Sequence, residues 1–192
     1  MIRPAVPGDA TQAVALILKA IGSIAFILTG TTDSEEAASI LDRFFRQEGN
    51  RVSYQNALVL EDSEGTLERS REVVGIALIY DGSRARALDE PLEKAAQERS
   101  GLSDYCIPTE AEGSEFYLDT VSVRANCQGR GFGRDLIEAS CEQARKLGGN
   151  RIGLLVDIAN LGARRLYERL AFHVEGKKQI AEYKYLHMVR NL

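Results

Sequence analysis

QGRGFGRD, residues 128–135, alternates three glycines with side chains, Arg130 and Arg134 among them, at the entrance of what reads as an amphipathic helix. Glycine inside a helix costs roughly 0.5–1 kcal/mol relative to alanine. Several of them at a helix start mean that the backbone itself is wanted there, its N–H groups bare and directed outward. Such an array suits a phosphate. Two familiar phosphate loops do not fit the residues. A dinucleotide fingerprint needs G-x-G-x-x-G directly after the first strand of a βαβ unit, but Arg134 holds the third glycine's place and the run lies deep in the chain. A nucleoside-triphosphate loop needs a Gly-Lys-Ser/Thr, and the sequence has none.

What remains is Gln128, Gly131 and Gly133 in a Gln-x-x-Gly-x-Gly pattern. Ahead of it, SEFYLDTVSV (114–123) reads as a strand; after it, residues 131–148 read as a helix with Phe132, Leu136, Ile137, Ala144 and Leu147 near one face. RIGLLVDI (151–158) is a nearly continuous apolar strand, as expected where both faces are buried. LGARRLYERL then reads as a short helix, and HVEGKKQI and YKYLHMV as two closing strands. The glycine loop resembles motif A of the GNAT superfamily of acyl-CoA-dependent N-acetyltransferases. Downstream, Asn160, Ala163, Tyr167, Leu170 and Phe172 match that family's N-x-x-A-x-x-x-Y and its leucine–aromatic ending. The resemblance covers residues 115–192; the front of the chain agrees in element order only.

The resemblance implies an α/β, GNAT-like fold: a central twisted mixed sheet of about six to seven mostly antiparallel strands flanked by helices, with a splayed parallel pair at the cofactor site. It implies acetyl-CoA as acyl donor, with its pyrophosphate on Gly129, Arg130, Gly131, Phe132, Gly133 and Arg134. Gln128, Asn160 and Ala163 complete that site, and the pantetheine arm runs beside Val121, Ser122 and Val123. An N–H near Val121 would bind the developing oxyanion. Tyr167 matches the tyrosine that protonates the departing thiolate, and an ordinary phenol keeps its proton at neutral pH.

The general base is less readable. Asp119, two residues before Val121, shares its face on a regular strand. A carboxylate there is costly unless paired or used, so Asp119 is a candidate for catalysis or for orienting substrate. Family members that carry a glutamate two residues earlier have Tyr117 as their counterpart here, and Glu115 lies towards the strand's edge. His187 is a second acceptor-side candidate, or else a wall residue of the last strand. His173 reads as surface, and Cys127 as no nucleophile, because the family transfers acetyl directly. No His, Cys and Asp spacing suggests a metal.

The remaining residues bound the partners. At 192 residues the chain fits one domain, 1–192, with a net charge of −4. Residues 1–112 hold 11 Lys/Arg against 19 Asp/Glu, and the rest 13 against 9. The basic half suits an anionic cofactor and the acidic half a cationic, small-molecule or peptide amine. No basic stripe for nucleic acid is visible. AVALILKAIGSIAFIL (13–28) is too short for a span and is interrupted by Lys19 and Gly22, so a buried helix pair is expected rather than a membrane segment. Three unpaired cysteines fit a reducing cytoplasm. IRPAV (2–6), NALVLED and EVVGIALIYDG read as strands, the last two joined by a polar turn at 63–71. Residues 34–47 read as a serine-capped helix. Residues 83–112 read as an insertion near the acceptor site holding one short helix. A homodimer is open. The alternatives are an acyl-CoA-binding or sensing protein without catalysis, or transfer of another acyl chain or to a hydroxyl.

Overall fold

The computed structural model describes residues 1–62 and 72–192; the polar turn expected at 63–71 lies outside the described residues. The strands are β1 (Ile2–Pro4), β2 (Ala57–Asp62), β3 (Glu72–Asp81), β4 (Phe116–Val123), β5 (Arg151–Asp157), β6 (His173–Ile180) and β7 (Tyr183–Asn191). They form a seven-stranded sheet in the order β1-β2-β3-β4-β5-β7-β6. Among the described residues every neighbouring pair is antiparallel except β4 and β5. The sheet is therefore mixed, as the resemblance implied.

Among the described residues six α-helices cover it: α1 (Ala10–Ile21), α2 (Ile24–Thr29), α3 (Ser34–Phe45), α4 (Ala85–Ser100), α5 (Phe132–Lys146) and α6 (Leu161–Arg169). The apolar run at 13–28 is the expected helix pair, broken after Ile21. Among the described residues no helix is long and apolar enough to cross a membrane. On α3 the cap is Asp33, not Ser34. Asp33 is extended and its carboxylate accepts the Glu36 N–H at 2.8 Å, which makes Ser34 the first helical residue. The helix expected within 83–112 is present and runs 16 residues, through Pro91. Leu88, Leu92 and Ala96, spaced by four, are buried along it, and that packing holds it together.

The two faces of the sheet bury separate cores. Ile17, Leu41, Phe45, Ile76 and Leu78 fill the side under α1 to α4. Ala77, Ile79, Phe116, Leu118, Val123, Leu136, Ile137, Leu154 and Val156 fill the side under α5. Leu136, Ile137 and Ala144 of α5 face inward as expected, but Leu147 falls beyond the helix end and is exposed.

Two features of β4 position the chemistry. It meets β5 only at Phe116–Ile152 and Tyr117–Gly153, after which the strands part. It is also bulged. Leu78 faces Thr120 while Ile79 faces Leu118, which leaves Asp119 as the extra residue. The inward parity changes across it: Phe116 and Leu118 pack on the α5 side, and so do Val121 and Val123. Asp119 therefore does not share a face with Val121, as a regular alternation predicts. It turns to the side of Tyr80 and Tyr117.

Candidate functional site

Where β4 and β5 separate, two clefts approach from opposite faces of the sheet. The first, about 1080 Å³, lies between the start of α5 and α6. The second, about 780 Å³, lies under the α1–α2 turn and reaches the floor around Tyr117 and Asp119. Val121, Val123, Gln128, Asn160, Ala163 and Tyr167 line both, so the clefts meet at the parting of the strands.

The first cleft is built on backbone. Gly131 stands at the cap position of α5 with φ +86° and Gly129 has φ +78°, left-handed angles that suit glycine. No side chain caps this helix, so its first N–H groups, at Phe132, Gly133 and Arg134, keep no intrahelical acceptor. They sit at the positive end of a 15-residue helix. A Cβ built on Gly129 or Gly131 meets nothing within 4 Å, so the space beside the loop is open. This is a cradle fit for an anion. Arg134 and Arg169 add positive charge to the lining, while Arg190 is paired at 2.8 Å with Glu138, which lines the cleft too. Arg130 is placed differently: it pairs with Asp62 at 2.8 Å, lies 4.6 Å over the Phe132 ring and lines neither cleft.

Around the loop, the other sequence candidates have structural partners. Gln128 donates from Nε2 to the Val123 carbonyl at 3.0 Å, tying the loop to the end of β4. Asn160 caps α6, its Oδ1 accepting from the Ala163 N–H at 3.0 Å. Ser122 lines the second cleft alone. Cys127 is buried beneath the loop. Tyr167 stands edge-on to Phe172, with ring centroids 5.7 Å apart, and its hydroxyl has no hydrogen-bond partner among the described residues. Burial pushes its phenol up to about 12, so it holds a proton throughout the neutral range.

The second cleft has a charged floor that no local sequence signal announces. Arg51, only 2% exposed, reaches three carboxylates: Asp89 at 3.3 Å, Glu110 at 2.9 Å and Asp119 at 2.5 Å. Asp119 Oδ2 also accepts from Arg51 Nε at 3.1 Å and the Tyr80 hydroxyl at 2.9 Å, while Thr120 donates to Oδ1 at 2.9 Å. Tyr117 donates to Glu110 at 3.0 Å. Burial, with nearby carboxylates adding to it, pushes the Tyr80 and Tyr117 phenols well above their usual range. Burial also pushes Asp89 up to about 6, partly opposed by Arg51. One cation thus faces three acids, and the floor is negative. Arg51 was hidden in QEGNRVSYQN, a polar stretch that reads as loop, and its acids lie 38 to 68 residues away in sequence.

His187 stands outside the linings of both clefts. Its Nε2 lies 2.7 Å from Glu115 Oε1. Glu115 is not at an exposed edge but fully buried, and it also accepts from Arg151 at 3.3 Å. Its carboxylate lies against Gly153, where a Cβ would overlap Oε1. His173 is exposed beside Glu175. Among the described residues no group of His, Cys, Asp and Glu is arranged to hold a metal.

A family model described as acetyltransferase (GNAT) family matches residues 37–172. A solved structure described as an acetyltransferase is 32% identical with a TM-score of 0.78, the match covering 100% of this chain and 98% of that one. An N-acetyltransferase from Staphylococcus aureus Mu50 is 22% identical with a TM-score of 0.77, covering 99% and 100%. A chain of the NatC complex bound to Gag peptide and CoA is 12% identical with a TM-score of 0.57, covering 100% and 98%. The last two speak to the fold alone. No curated protein matches the chain.

Proposed function

The chain belongs to the GNAT acetyltransferase family, and from that premise we propose that it transfers acetyl from acetyl-CoA to a primary amine by direct attack in a ternary complex. The observation that carries this reading is the meeting of the two clefts at the parted strands. One cleft is lined by bare N–H groups and arginines, the other by an acidic floor, and each reaches Val121 and Tyr167.

On this reading the pyrophosphate lies on the N–H groups of Gly129 to Arg134, with Arg134 supplying a charge-assisted contact. From Leu118 to Val123, β4 has no ladder partner on its β5 side among the described residues. Val121, Ser122 and Val123 are then available to pair with pantetheine and to steady the oxyanion near Val121. Gln128, Asn160 and Ala163 fix the walls where the arm passes. Tyr167, protonated and without a competing hydrogen bond, gives its proton to the leaving sulfur. The acidic floor draws a cationic acceptor, and Asp119, held by Arg51, Tyr80 and Thr120, shapes that floor.

The test begins with acetyl-CoA binding by calorimetry in the wild type and in Gly131→Glu, which places a negative side chain in the open cradle. Micromolar binding that the variant loses while still folding supports the cradle. Wild type that binds nothing removes the reading. Turnover on a panel of primary amines follows, with Tyr167→Phe expected to lower kcat about 100-fold or more. Because the hydroxyl makes no hydrogen bond, the melting temperature should hardly move. Unchanged turnover would assign the chain no use of that phenol.

A further inference from the structure

Resting on the amine reading above, we infer that Asp157 is the carboxylate that receives the acceptor's ammonium and takes its proton. Three observations place it there. First, parallel pairing ends at Tyr117 and Gly153, and beyond that point Val121 of β4 and Asp157 of β5 both line the second cleft. Second, β5 alternates: Ile152, Leu154 and Val156 pack under α5, while Leu155 joins the cluster of Tyr80 and Tyr117. Asp157 follows the parity of Leu155, and it lines the acceptor cleft but not the donor cleft. Third, it has an oxygen to spare. Oδ1 accepts the Ala159 N–H at 2.8 Å, which fixes the side chain, and Oδ2 has no partner among the described residues. Asp119, by contrast, is already engaged by Arg51, Tyr80 and Thr120.

The ammonium gives one proton to Asp157 Oδ2, and the freed nitrogen lone pair forms the C–N bond to the thioester carbon as the carbonyl π pair moves to oxygen. Collapse restores C=O and breaks C–S. Sulfur takes the Tyr167 proton, the nitrogen's second proton replaces it on Tyr167, and Asp157 releases its own to solvent.

The experiment follows thiol release and acetylated product with acetyl-CoA and a panel of putrescine, tyramine, lysine methyl ester and a peptide with a free N-terminus. Wild type is compared with Asp157→Asn, Asp157→Ala and Asp119→Ala, and acetyl-CoA binding is measured on each. Asparagine keeps the acceptor for Ala159, so Asp157→Asn folds and binds acetyl-CoA like wild type. Its kcat falls about 100-fold or more, and formate restores part of the rate in Asp157→Ala. A kcat within about threefold of wild type overturns the Asp157 assignment while leaving amine acetylation intact. Formate rescue appearing at position 119 instead, in an Asp119→Ala control, overturns it in favour of Asp119. Wild type that binds acetyl-CoA yet acetylates none of the panel overturns the amine reading itself, and this inference with it.

Discussion

Replacing Gly133 with alanine should stabilise the protein and weaken its hold on acetyl-CoA. Gly133 is the second residue of α5, and an added Cβ meets only Leu166 Cδ2, at an ordinary 3.7 Å. Nothing in the ligand-free protein resists the methyl. Alanine loses less backbone entropy on entering a helix, a gain of roughly 0.5–1 kcal/mol. For a chain of this size that is a rise of about 1–4 °C in melting temperature. The methyl nevertheless stands between the first turn of α5 and Leu166, both of which line the donor cleft. It narrows the passage proposed for the pyrophosphate, and a loss of tenfold or more in affinity, about 1.4 kcal/mol, is expected. Thermal denaturation followed by circular dichroism gives the first quantity and calorimetric titration with acetyl-CoA the second. A stabilised variant that binds within twofold of wild type would falsify the idea that this glycine is kept small for the ligand. A destabilised one would refute the steric reading of the helix entrance.

Two further outcomes concern the buried charges. Asp89 ionises near 6 in the folded protein against an ordinary 3.8, chiefly through burial. The folded state therefore keeps a proton that the unfolded state has released, and this group removes stability as pH rises from about 4 to about 6, by at most about 3 kcal/mol. Urea midpoints at pH 4.5 and pH 7 should show Asp89→Asn gaining on wild type at the higher pH; an equal difference at both would contradict this. Gly153→Ala drives a methyl into the Glu115 carboxylate, which is fully buried and paired with His187 and Arg151. Displacing a buried pair of this kind should cost about 3 kcal/mol or more, and a chemical-denaturation loss below 1 kcal/mol would show that the carboxylate moves aside freely.

Much of the fold was legible because its signals are local. The glycines announce the start of α5, the apolar runs announce β3 and β5, and the Asn160-to-Phe172 pattern announces α6 and its turn. The facing of Asp119 was not legible. A period of two carried through FYLDTVSV puts it beside Val121, but the bulge arises from pairing with β3, and nothing in the eight residues themselves records it. Arg51 escaped for a related reason. Its environment is made by acids drawn from α4, from the loop after it and from β4, so its burial is a property of assembly. Asp157 left a trace, as a charged residue ending a nearly continuous apolar run.

The opening between β4 and β5 also bears on inhibition. On the proposed function the sheet is a septum with a port, where a donor and an acceptor arriving from opposite sides would meet without sharing an entrance. A compound occupying one side leaves the other accessible. A compound made by joining an amine to CoA through the acetyl carbons would thread the port and hold both sides at once. Its second half would bind at the effective concentration set by a short tether, on the order of millimolar. Such a molecule would also report the geometry directly, because its affinity would rise and fall with tether length as the span across the sheet is matched or missed.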